Sequence, residues 1–427
     1  MKQDLHIAKK CREEIRSAPQ KGGWAPVKLA IHEKLAMHGG TPVRKTLLPY
    51  GHQSIEEDDI RAVVETLRSD WLTTGPKVAE FEEKIAQRAG AKYAVSFSSG
   101  TAALHGAAFA AGLKPGDEAV TSPMTFAATA NCVLYQGATP VFADVCHDTL
   151  NLDPELAASR ITPRTKAILP VDYAGHPADM DAFLQLAERH KLIVIEDACH
   201  ALGAEYKGRR VGSIAHMTVF SFHPVKHLTT GEGGMVTTDD PGLAESLRRF
   251  RNHGISSEAR QRQAEGQWFY EQVLLGFNYR LTDIGCALGV QQLTRLQANL
   301  ERRREIAARY SRELVKIPGL IPPAVRSGLN PAWHLYPIRL DLEKLSADRG
   351  QIFRALRAEN IGVNVHYIPV HRHPYYRERF GYKGGEFPIA EGAYDRLISL
   401  PMFHGMSDGD VEDVLAAVSK VVSTFLS

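Results

Sequence analysis

The sequence predicts an α/β protein, in which a large and mostly parallel sheet covered by helices is followed by a smaller α+β domain. Between residues 93 and 195, short apolar runs alternate with amphipathic or alanine-rich segments, the order expected where helices join parallel strands. The run Leu192 to Ile195 has no polar alternation, as expected of a strand buried on both faces. After residue 317 the regular alternation of apolar runs and helical segments ends, which indicates a second domain.

The first part of the chain contains the expected βα units. Ser54 followed by Glu56 and Glu57 has the form of a helix start, and Val78 to Ala89 is a second amphipathic helix. The expected strands that follow are Tyr93–Phe97, Glu118–Thr121, Pro140–Ala143, Lys166–Val171 and Leu192–Ile195. The expected helices between and after them are Thr101–Gly112, Phe126–Tyr135, Pro154–Arg160 and Asp179–His190.

The second part begins with a hairpin, whose apolar runs Met217–Phe222 and Met235–Thr237 flank a glycine-rich turn. A basic helix follows from Gly242, and a long helix from Thr282 to about Leu314, whose arginines 302–304 are expected on a solvated face. The small domain is expected to contain strands at Leu335–Leu340 and Ile361–Ile368, and helices at Ala347–Glu359 and Ser407–Phe425. We therefore divide the chain into an N-terminal arm (1–40), a large domain (41–316) and a small C-terminal domain (317–427).

Composition excludes several classes of protein. Of 427 residues, 44% are hydrophobic and 23% are charged, which is typical of soluble globular chains. The formal charge of +2 gives no reason to propose nucleic acid or membrane as the main partner. The five cysteines form no Cys-x-x-Cys pair, and the N-terminus has no apolar signal core. We expect a cytoplasmic protein without a structural zinc site.

Lys226 is the candidate catalytic residue, because it lies between two strands at an edge where functional groups of α/β proteins collect. A lone lysine is more often a solvated surface residue, so the interpretation depends on its partners. If Lys226 covalently holds pyridoxal phosphate, the chain must also supply phosphate donors, a carboxylate for the pyridine nitrogen and an apolar neighbour for the ring.

Each requirement has a candidate, and each candidate has an ordinary alternative. Ser99, Gly100 and Thr101 stand between a strand and a helix, where backbone N–H groups favour an anion; the alternative is a plain helix cap. Asp197 ends a wholly apolar strand, where an unpaired buried carboxylate is costly and a cationic pyridinium would satisfy it. Its alternative is an exposed strand end.

Three further side chains complete the predicted cofactor site. Phe126 can lie against the ring, His200 can reach its oxygen, and Ser221 can add a phosphate contact. The corresponding alternatives are core packing, a structural histidine and a hydroxyl bonded within its own turn.

The chain resembles the DegT/DnrJ/EryC1/StrS family of pyridoxal phosphate-dependent sugar aminotransferases from about residue 35 to the C-terminus. Seven ordered motifs carry the resemblance: Leu-Thr-Thr-Gly-Pro (72–76), Ser-Gly-Thr-Ala-Ala-Leu (99–104), Pro-Met-Thr-Phe-Ala-Ala-Thr-Ala-Asn (123–131), Glu-Asp-Ala-Cys-His (196–200), Ser-Phe-His-Pro-Val-Lys (221–226), Thr-Thr-Gly-Glu-Gly-Gly (229–234) and Gly-Phe-Asn-Tyr-Arg-Leu-Thr-Asp (276–283).

The resemblance implies the fold of type I aminotransferases, with a seven-stranded large domain, and a homodimer with two active sites at the interface. It implies that Asn278 reaches the cofactor phosphate of the neighbouring subunit. His200 stands where many relatives carry glutamine. The resemblance implies transamination from L-glutamate in two half-reactions. A branch of the family that dehydrates sugars has histidine in place of Lys226, so the lysine argues against that branch.

Three further segments, 50–55, 334–338 and 365–371, resemble transaminases that aminate C4 of a UDP-linked 4-keto-6-deoxy-N-acetylhexosamine, as in pseudaminic acid synthesis. This resemblance implies a substrate site lined by Tyr50, Thr73, Thr74, His223, Arg280, His334, Tyr336 and Tyr367. For each residue, framework packing is the alternative role. Another keto sugar nucleotide, a cyclitol ketone, or a non-catalytic regulatory protein on the same fold are the alternative functions.

Overall fold

The computed structural model describes residues 33–256, 262 and 265–427. Residues 1–32 of the expected arm, and residues 257–261, 263 and 264 of the loop after the basic helix, lie outside the described residues. No helix among the described residues is long and apolar enough to cross a membrane.

A seven-stranded sheet forms the centre of the protein and confirms the predicted α/β class. In spatial order the strands are β1-β9-β8-β5-β4-β2-β3; only β9 runs against its neighbours. The strands in chain order are β1 Tyr93–Phe97, β2 Glu118–Thr121, β3 Thr139–Phe142, β4 Thr165–Leu169, β5 Ile193–Asp197, β6 Glu205–Tyr206, β7 Arg209–Arg210, β8 Met217–Ser221 and β9 Gly234–Thr238. Strands β6 and β7 belong to a separate small sheet.

Strand register brings the predicted site residues to one edge of the sheet. In the β5–β8 pair, Asp197 lies opposite Val219, two residues before the end of β8. In the antiparallel pairs, Gly234 at the start of β9 lies opposite both Ser221 and Phe97. The carboxyl ends of β1, β5 and β8 therefore meet at the same edge, and the loop containing Lys226 connects β8 to β9 there.

Helices cover both faces of this sheet, close to the bounds predicted from apolar periodicity. Helix α3 begins at Gly100 behind the N-cap Ser99, whose side chain accepts a hydrogen bond from the backbone N–H of Ala102. The helices of this part are α1 Glu57–Leu67, α2 Pro76–Ala89, α3 Gly100–Ala110, α4 Ala128–Tyr135, α5 Pro154–Ala158, α6 Met180–His190 and α7 Pro241–Arg251.

The long helix expected after Thr282 is two helices, α8 Asp283–Thr294 and α9 Leu296–Leu314, which meet at Arg295. The prediction that its arginines lie on a solvated face is wrong for Arg303, which is 1% exposed. Arg303 Nη1 donates to the backbone oxygens of Trp333, His334 and Met402, so main-chain carbonyls replace water around the guanidinium.

The C-terminal part contains a three-stranded sheet in the order β10-β12-β13. Its elements are β10 Leu320–Ile321, β11 Leu329–Asn330, β12 Tyr336–Leu340, α10 Arg349–Ala358, α11 Pro374–Phe380, α12 Pro388–Tyr394, β13 Leu397–Leu400 and α13 Asp408–Thr424; β11 pairs with β6. The predicted strand 361–368 is wrong: this segment makes isolated bridges at Ile361 and Asn364 only.

The small core also takes in residues assigned by sequence to other parts of the chain. Leu35, Leu48 and the second half of α9 pack with β12, α10 and α13 in one apolar cluster. Lys420 in α13 pairs with Glu359, which accepts from the backbone N–H groups of Ala36 and Val43. The division at residue 316 therefore remains a prediction, with α9 spanning both cores.

Candidate functional site

A cavity of about 530 Å³ opens at the sheet edge where β1, β5 and β8 end. It collects most of the side chains that the sequence predicted for the cofactor site and several predicted for the substrate. Those that line it are Tyr50, Ser99, Gly100, Thr101, Phe126, Asp197, His200, Ser221, His223, Lys226, His334 and Tyr367.

Lys226 occupies the loop between β8 and β9, and its backbone N–H donates to the carbonyl of His223 at 2.9 Å. Burial lowers the pKa of the Lys226 ammonium, because the charged form loses its hydration; the nearby Cys199 and Asp197 oppose this shift. Its Nζ lies 3.5 Å from His334 Nε2. The lysine is thus more readily deprotonated than a solvated one, as a nucleophilic amine requires.

Asp197 lies at the end of β5 with its carboxylate inside the cavity and 6% of its surface exposed. Its Oδ2 accepts from the Thr129 hydroxyl at 2.6 Å, and its Oδ1 accepts from the backbone N–H of Cys199 at 3.2 Å. Thr125 and Thr129 share a hydrogen bond of 2.8 Å. These donors fix the orientation of the Asp197 carboxylate inside the cavity, where it could pair with a cationic pyridinium nitrogen.

Two glycines let the N-terminus of α3 lie close against the ends of β8 and β9. A Cβ built on Gly100 would lie 2.9 Å from Ser221 Cβ, and one on Gly234 would lie 2.4 Å from the carbonyl oxygen of Ser99. Larger side chains at either position would push these segments apart. Ser99, Gly100 and Thr101 line the cavity here, and the N-terminus of a helix favours an anion such as a phosphate.

Aromatic and imidazole rings form part of the cavity wall. Phe126 precedes α4 rather than opening it, is 61% exposed, and has its ring centroid 6.1 Å from that of Tyr367. The Tyr367 hydroxyl and His200 Nε2 lie 3.0 Å apart, and the two rings stack with centroids 6.0 Å apart. Burial lowers the pKa of His200 well below its usual value, so its imidazole is neutral.

A pair of buried acids lies directly behind Asp197. The Asp172 backbone N–H donates to the Asp197 carbonyl, and Glu196 Oε2 accepts from the Thr218 hydroxyl. Asp172 and Glu196 are both fully buried, and burial raises the pKa of Glu196 to about 7 and that of Asp172 well above its usual value. The sequence predicted no role for Asp172, Glu196 or Thr129, since each depends on contacts distant along the chain.

The remaining predicted substrate residues lie elsewhere. Thr73, Thr74 and Arg280 line a second cavity of about 400 Å³, together with Arg248 and Arg251. Asn278 is exposed and lines neither cavity.

Tyr336, which the sequence predicted for the substrate site, does not line the cavity. Its exposed fraction is 0%, its hydroxyl lies 2.7 Å from that of Ser311, and its ring packs edge-on against Tyr310. Tyr336 belongs to the core of the small sheet and does not contact a substrate in the cavity.

The residues present fit pyridoxal phosphate. The cavity offers a buried carboxylate, an amine with a lowered pKa, an anion site at a helix N-terminus and an exposed phenyl ring in its wall. Each group occupies the edge at which ligands bind in open α/β sheets.

Comparisons with known proteins agree with this chemistry. A family model described as the DegT/DnrJ/EryC1/StrS aminotransferase family matches residues 53–419. The spore coat polysaccharide biosynthesis protein SpsC of Bacillus subtilis is 48% identical over 381 residues, which cover 89% of this chain and 98% of that protein.

Solved structures are similar over the same region. PseC of Helicobacter pylori, an aminotransferase involved in the biosynthesis of pseudoaminic acid, has a TM-score of 0.83 and 33% identity, and the match covers 89% of this chain and all of PseC. A putative sugar aminotransferase of Streptococcus pneumoniae in its PLP form has a TM-score of 0.83 and 32% identity, covering 89% of this chain and 100% of that one.

Proposed function

This chain belongs to the DegT/DnrJ/EryC1/StrS aminotransferase family, and we propose that Lys226 is the residue through which it binds its cofactor and transfers an amino group. The protein is a pyridoxal phosphate-dependent sugar aminotransferase of fold type I. The single observation that carries the residue assignment is that the Lys226 amine, whose pKa is lowered, lies in the same cavity as Asp197 and the α3 N-terminus.

Pyridoxal phosphate, when bound, supplies the electron sink that transamination needs. The N-terminus of α3 with Ser99, Gly100 and Thr101, together with the Ser221 hydroxyl, would hold its phosphate. The Asp197 carboxylate, supported by two donors, would hold the protonated pyridine nitrogen.

Three further residues complete the assignment. The face of Phe126 would lie against the ring, and His200 would reach the ring oxygen from its position beside Tyr367. Lys226 would hold the cofactor until an amino donor displaced its amine. The free Lys226 Nζ would then be the base that accepts the proton from the donor's Cα and gives it up again, and the same amine would serve the acceptor half-reaction in reverse.

The donor we propose is L-glutamate, and the acceptor is a UDP-linked 4-keto-6-deoxy-N-acetylhexosamine used for a cell-surface glycan. Similarity to PseC and to SpsC supports a sugar acceptor in polysaccharide synthesis. Tyr50, His223 and Tyr367, at the cavity wall, would contact the sugar. We place the reaction in the cytoplasm, which agrees with the four free thiols among the described residues.

We propose a homodimer in which each site is completed by the partner. Thr73, Thr74 and Arg280 lie in a second, arginine-rich cavity of the same chain, away from Lys226. The segment that precedes Asn278 in the sequence exposes apolar side chains, with Trp268 84% and Leu275 77% exposed. A partner subunit would cover this surface. A second copy would thus bring Asn278 and Arg280 to the cofactor phosphate and the nucleotide.

A panel of keto sugar nucleotides tests the substrate. Purified protein should be yellow and should lose this colour when L-glutamate is added. UDP-, dTDP- and GDP-linked 4-keto and 3-keto sugars, with a cyclitol ketone as the non-nucleotide control, are then added separately. The proposal expects the UDP-4-keto-6-deoxy-N-acetylhexosamine to restore the colour fastest; equal or faster recovery with another ketone would reassign the acceptor.

Mixed dimers test the shared site. We would combine Lys226→Ala with a chain carrying both Asn278→Ala and Arg280→Ala, each inactive as a homodimer, under conditions in which subunits exchange. If sites are shared, each mixed dimer has one site with every wild-type residue, and activity returns. Absence of recovery in a mixture that has formed mixed dimers would contradict the shared site.

A further inference from the structure

Arg303 of α9 is a buried cation whose bonded acceptors are backbone carbonyls. It is 1% exposed, forms no ion pair with a carboxylate among the described residues, and has no partner for Nε. Its Nη1 lies 3.1 Å from the Trp333 oxygen, 3.4 Å from the His334 oxygen and 2.9 Å from the Met402 oxygen. Burial lowers the pKa of its guanidinium to about 10. Such desolvation is costly, and the three carbonyl acceptors offset part of it.

The turn that Arg303 holds has an uncommon backbone. Trp333 has a φ of +52°, a left-handed conformation that bulky residues adopt only when their surroundings impose it. The backbone N–H of Ala332 donates to the Gly175 oxygen at 3.0 Å. A Cβ on Gly175 would lie 2.8 Å from the Trp333 nitrogen and 3.0 Å from that of His334. Arg303 and the Gly175 backbone therefore fix the turn from two sides.

This turn sets the position of the His334 side chain. Its Nε2 lies 3.5 Å from Lys226 Nζ, and its ring centroid is 4.4 Å from that of His200. Four groups whose charge acts on His334 are all cationic when protonated: Lys226, His200, His227 and Arg303. Burial first, and then these groups, lower the pKa of His334 well below its usual value, so the imidazole is neutral.

We propose that Arg303 is a positioning residue for transamination: by binding the Trp333 and His334 carbonyls it keeps His334 Nε2 against Lys226 Nζ and so orients the amine. The inference rests on Lys226 being the cofactor lysine. A neutral imidazole accepts a hydrogen bond from the Lys226 nitrogen without taking its proton. The amine then remains free to receive a proton from the substrate carbon, and its lone pair keeps one direction.

A purely structural role for Arg303 would be to fasten α9 to the small core. Arg302, its neighbour, provides the matched control, since its Nη2 donates to the Met406 oxygen at 2.9 Å and to Asp408 at 2.7 Å. These two hydrogen bonds connect the same helix to the same part of the chain and do not involve the 333–334 turn. Arg302→Met should therefore reproduce any general loosening and leave Lys226 unchanged.

The experiment measures the apparent pKa of Lys226 directly in full-length apoprotein. Trace acetylation by acetic anhydride is followed across pH, and the Lys226 peptide is quantified by mass spectrometry. Arg303→Met should raise the Lys226 pKa by about one unit, because the freed 333–334 turn and its His334 ring move away and let water reach the amine, whose pKa is lowered mainly by burial. Arg303→Lys, which keeps the charge and three donors, should restore most of the shift.

Kinetics and a double-mutant cycle test whether Arg303 acts on Lys226 through His334. Arg303→Met should lower kcat about tenfold or more while the KM for L-glutamate stays within about threefold, because the amine and not the donor site is perturbed. His334→Ala should raise the Lys226 pKa as well, because loss of the ring admits water to the amine and so reverses the burial that chiefly lowers its pKa, an effect larger than the loss of one weak acceptor at 3.5 Å. Arg303→Met added to His334→Ala should have little further effect, since residues that act through one another are not additive.

Three outcomes would overturn the inference: a Lys226 pKa unchanged in His334→Ala, equal shifts in Arg302→Met and Arg303→Met, or additive effects in the cycle. If Arg303→Met does not fold, the His334→Ala result and the Arg303→Lys comparison decide the matter. Reductive trapping of the cofactor separates this failure from that of the proposed function. Label on a lysine other than Lys226 refutes both, whereas label on Lys226 with an unchanged pKa refutes only the role of Arg303.

Discussion

Gly100→Ala tests whether the space at the α3 N-terminus is the phosphate site. Gly100 has ordinary helical geometry, so alanine is tolerated by the backbone and the effect comes from its methyl group alone. That carbon would lie 2.9 Å from Ser221 Cβ and 3.1 Å from Ser221 Oγ. Carbon atoms in favourable contact are about 3.5–4.0 Å apart, so the start of α3 or the end of β8 must move by about half an ångström or more.

Overpacking of this kind costs about 1–3 kcal/mol. If the displacement is borne by the phosphate site, the Kd for pyridoxal phosphate rises about 5- to 150-fold. The assay is titration of apoprotein with the cofactor, followed by its visible absorbance, with thermal unfolding of the apoprotein as a check on folding.

Gly392→Ala is the control, because a Cβ there has no heavy atom within 4 Å. It should leave the Kd unchanged. A Kd for Gly100→Ala within about twofold of the parent, at unchanged stability, would refute the assignment of the phosphate site to the N-terminus of α3, since about 1 kcal/mol corresponds to a fivefold change in Kd.

Three further predictions follow from contacts in the same region. Thr129→Val removes the hydroxyl that donates to Asp197 Oδ2 and should lower the free energy of unfolding of the apoprotein by about 1.5–3 kcal/mol in urea, whereas Thr129→Ser should retain most of it; equal losses would contradict a hydrogen-bonding role. Because burial lowers the Lys226 pKa, the rate of cofactor attachment should level off at a lower pH than for a free lysine, and a plateau only above pH 10.5 would contradict it. Glu196, with a pKa raised to about 7 in the fold from 4.5, binds more protons when folded, so stability should fall as pH rises from about 4.5 to 7; Glu196→Gln should flatten this slope in urea unfolding, and an unchanged slope would contradict the shift.

Strand and helix order could be predicted from the sequence because each βα unit carries its own signal. Apolar runs without polar alternation identify strands buried on both faces, and strand β1 was predicted with its observed bounds. The placement of Lys226, Asp197 and the α3 N-terminus at one edge then follows from parallel topology. The local sequence pattern and the sheet topology agree here, so the sequence was sufficient to predict that these three features lie at one edge.

The errors occur where distant segments decide the outcome. Arg303 stands in a run of three arginines, and only carbonyls from residues 333–334 and 402 make its burial possible. His334 and Tyr336 are two apart, which on a continuous strand places them on one face. The left-handed turn at Trp333 and the start of β12 at Tyr336 separate them, so one lines the cavity and the other enters the core.

The sequence predicts segment 361–368 as a strand, and four of its eight residues are Ile or Val. The segment borders the cavity through Asn364, His366 and Tyr367 instead, and pairs only in isolated bridges. The adjacent residues His366 and Tyr367 both line the cavity, whereas neighbouring side chains of a regular strand point to opposite faces.

Identification of the lysine that carries the cofactor tests the central claim most directly. Holoprotein is reduced with borohydride, digested, and the peptide bearing the reduced cofactor is sequenced by mass spectrometry. We predict that the label lies on Lys226 and that Lys226→Ala carries none. Label on any other lysine, or transamination at the parent rate by Lys226→Ala, would contradict the account.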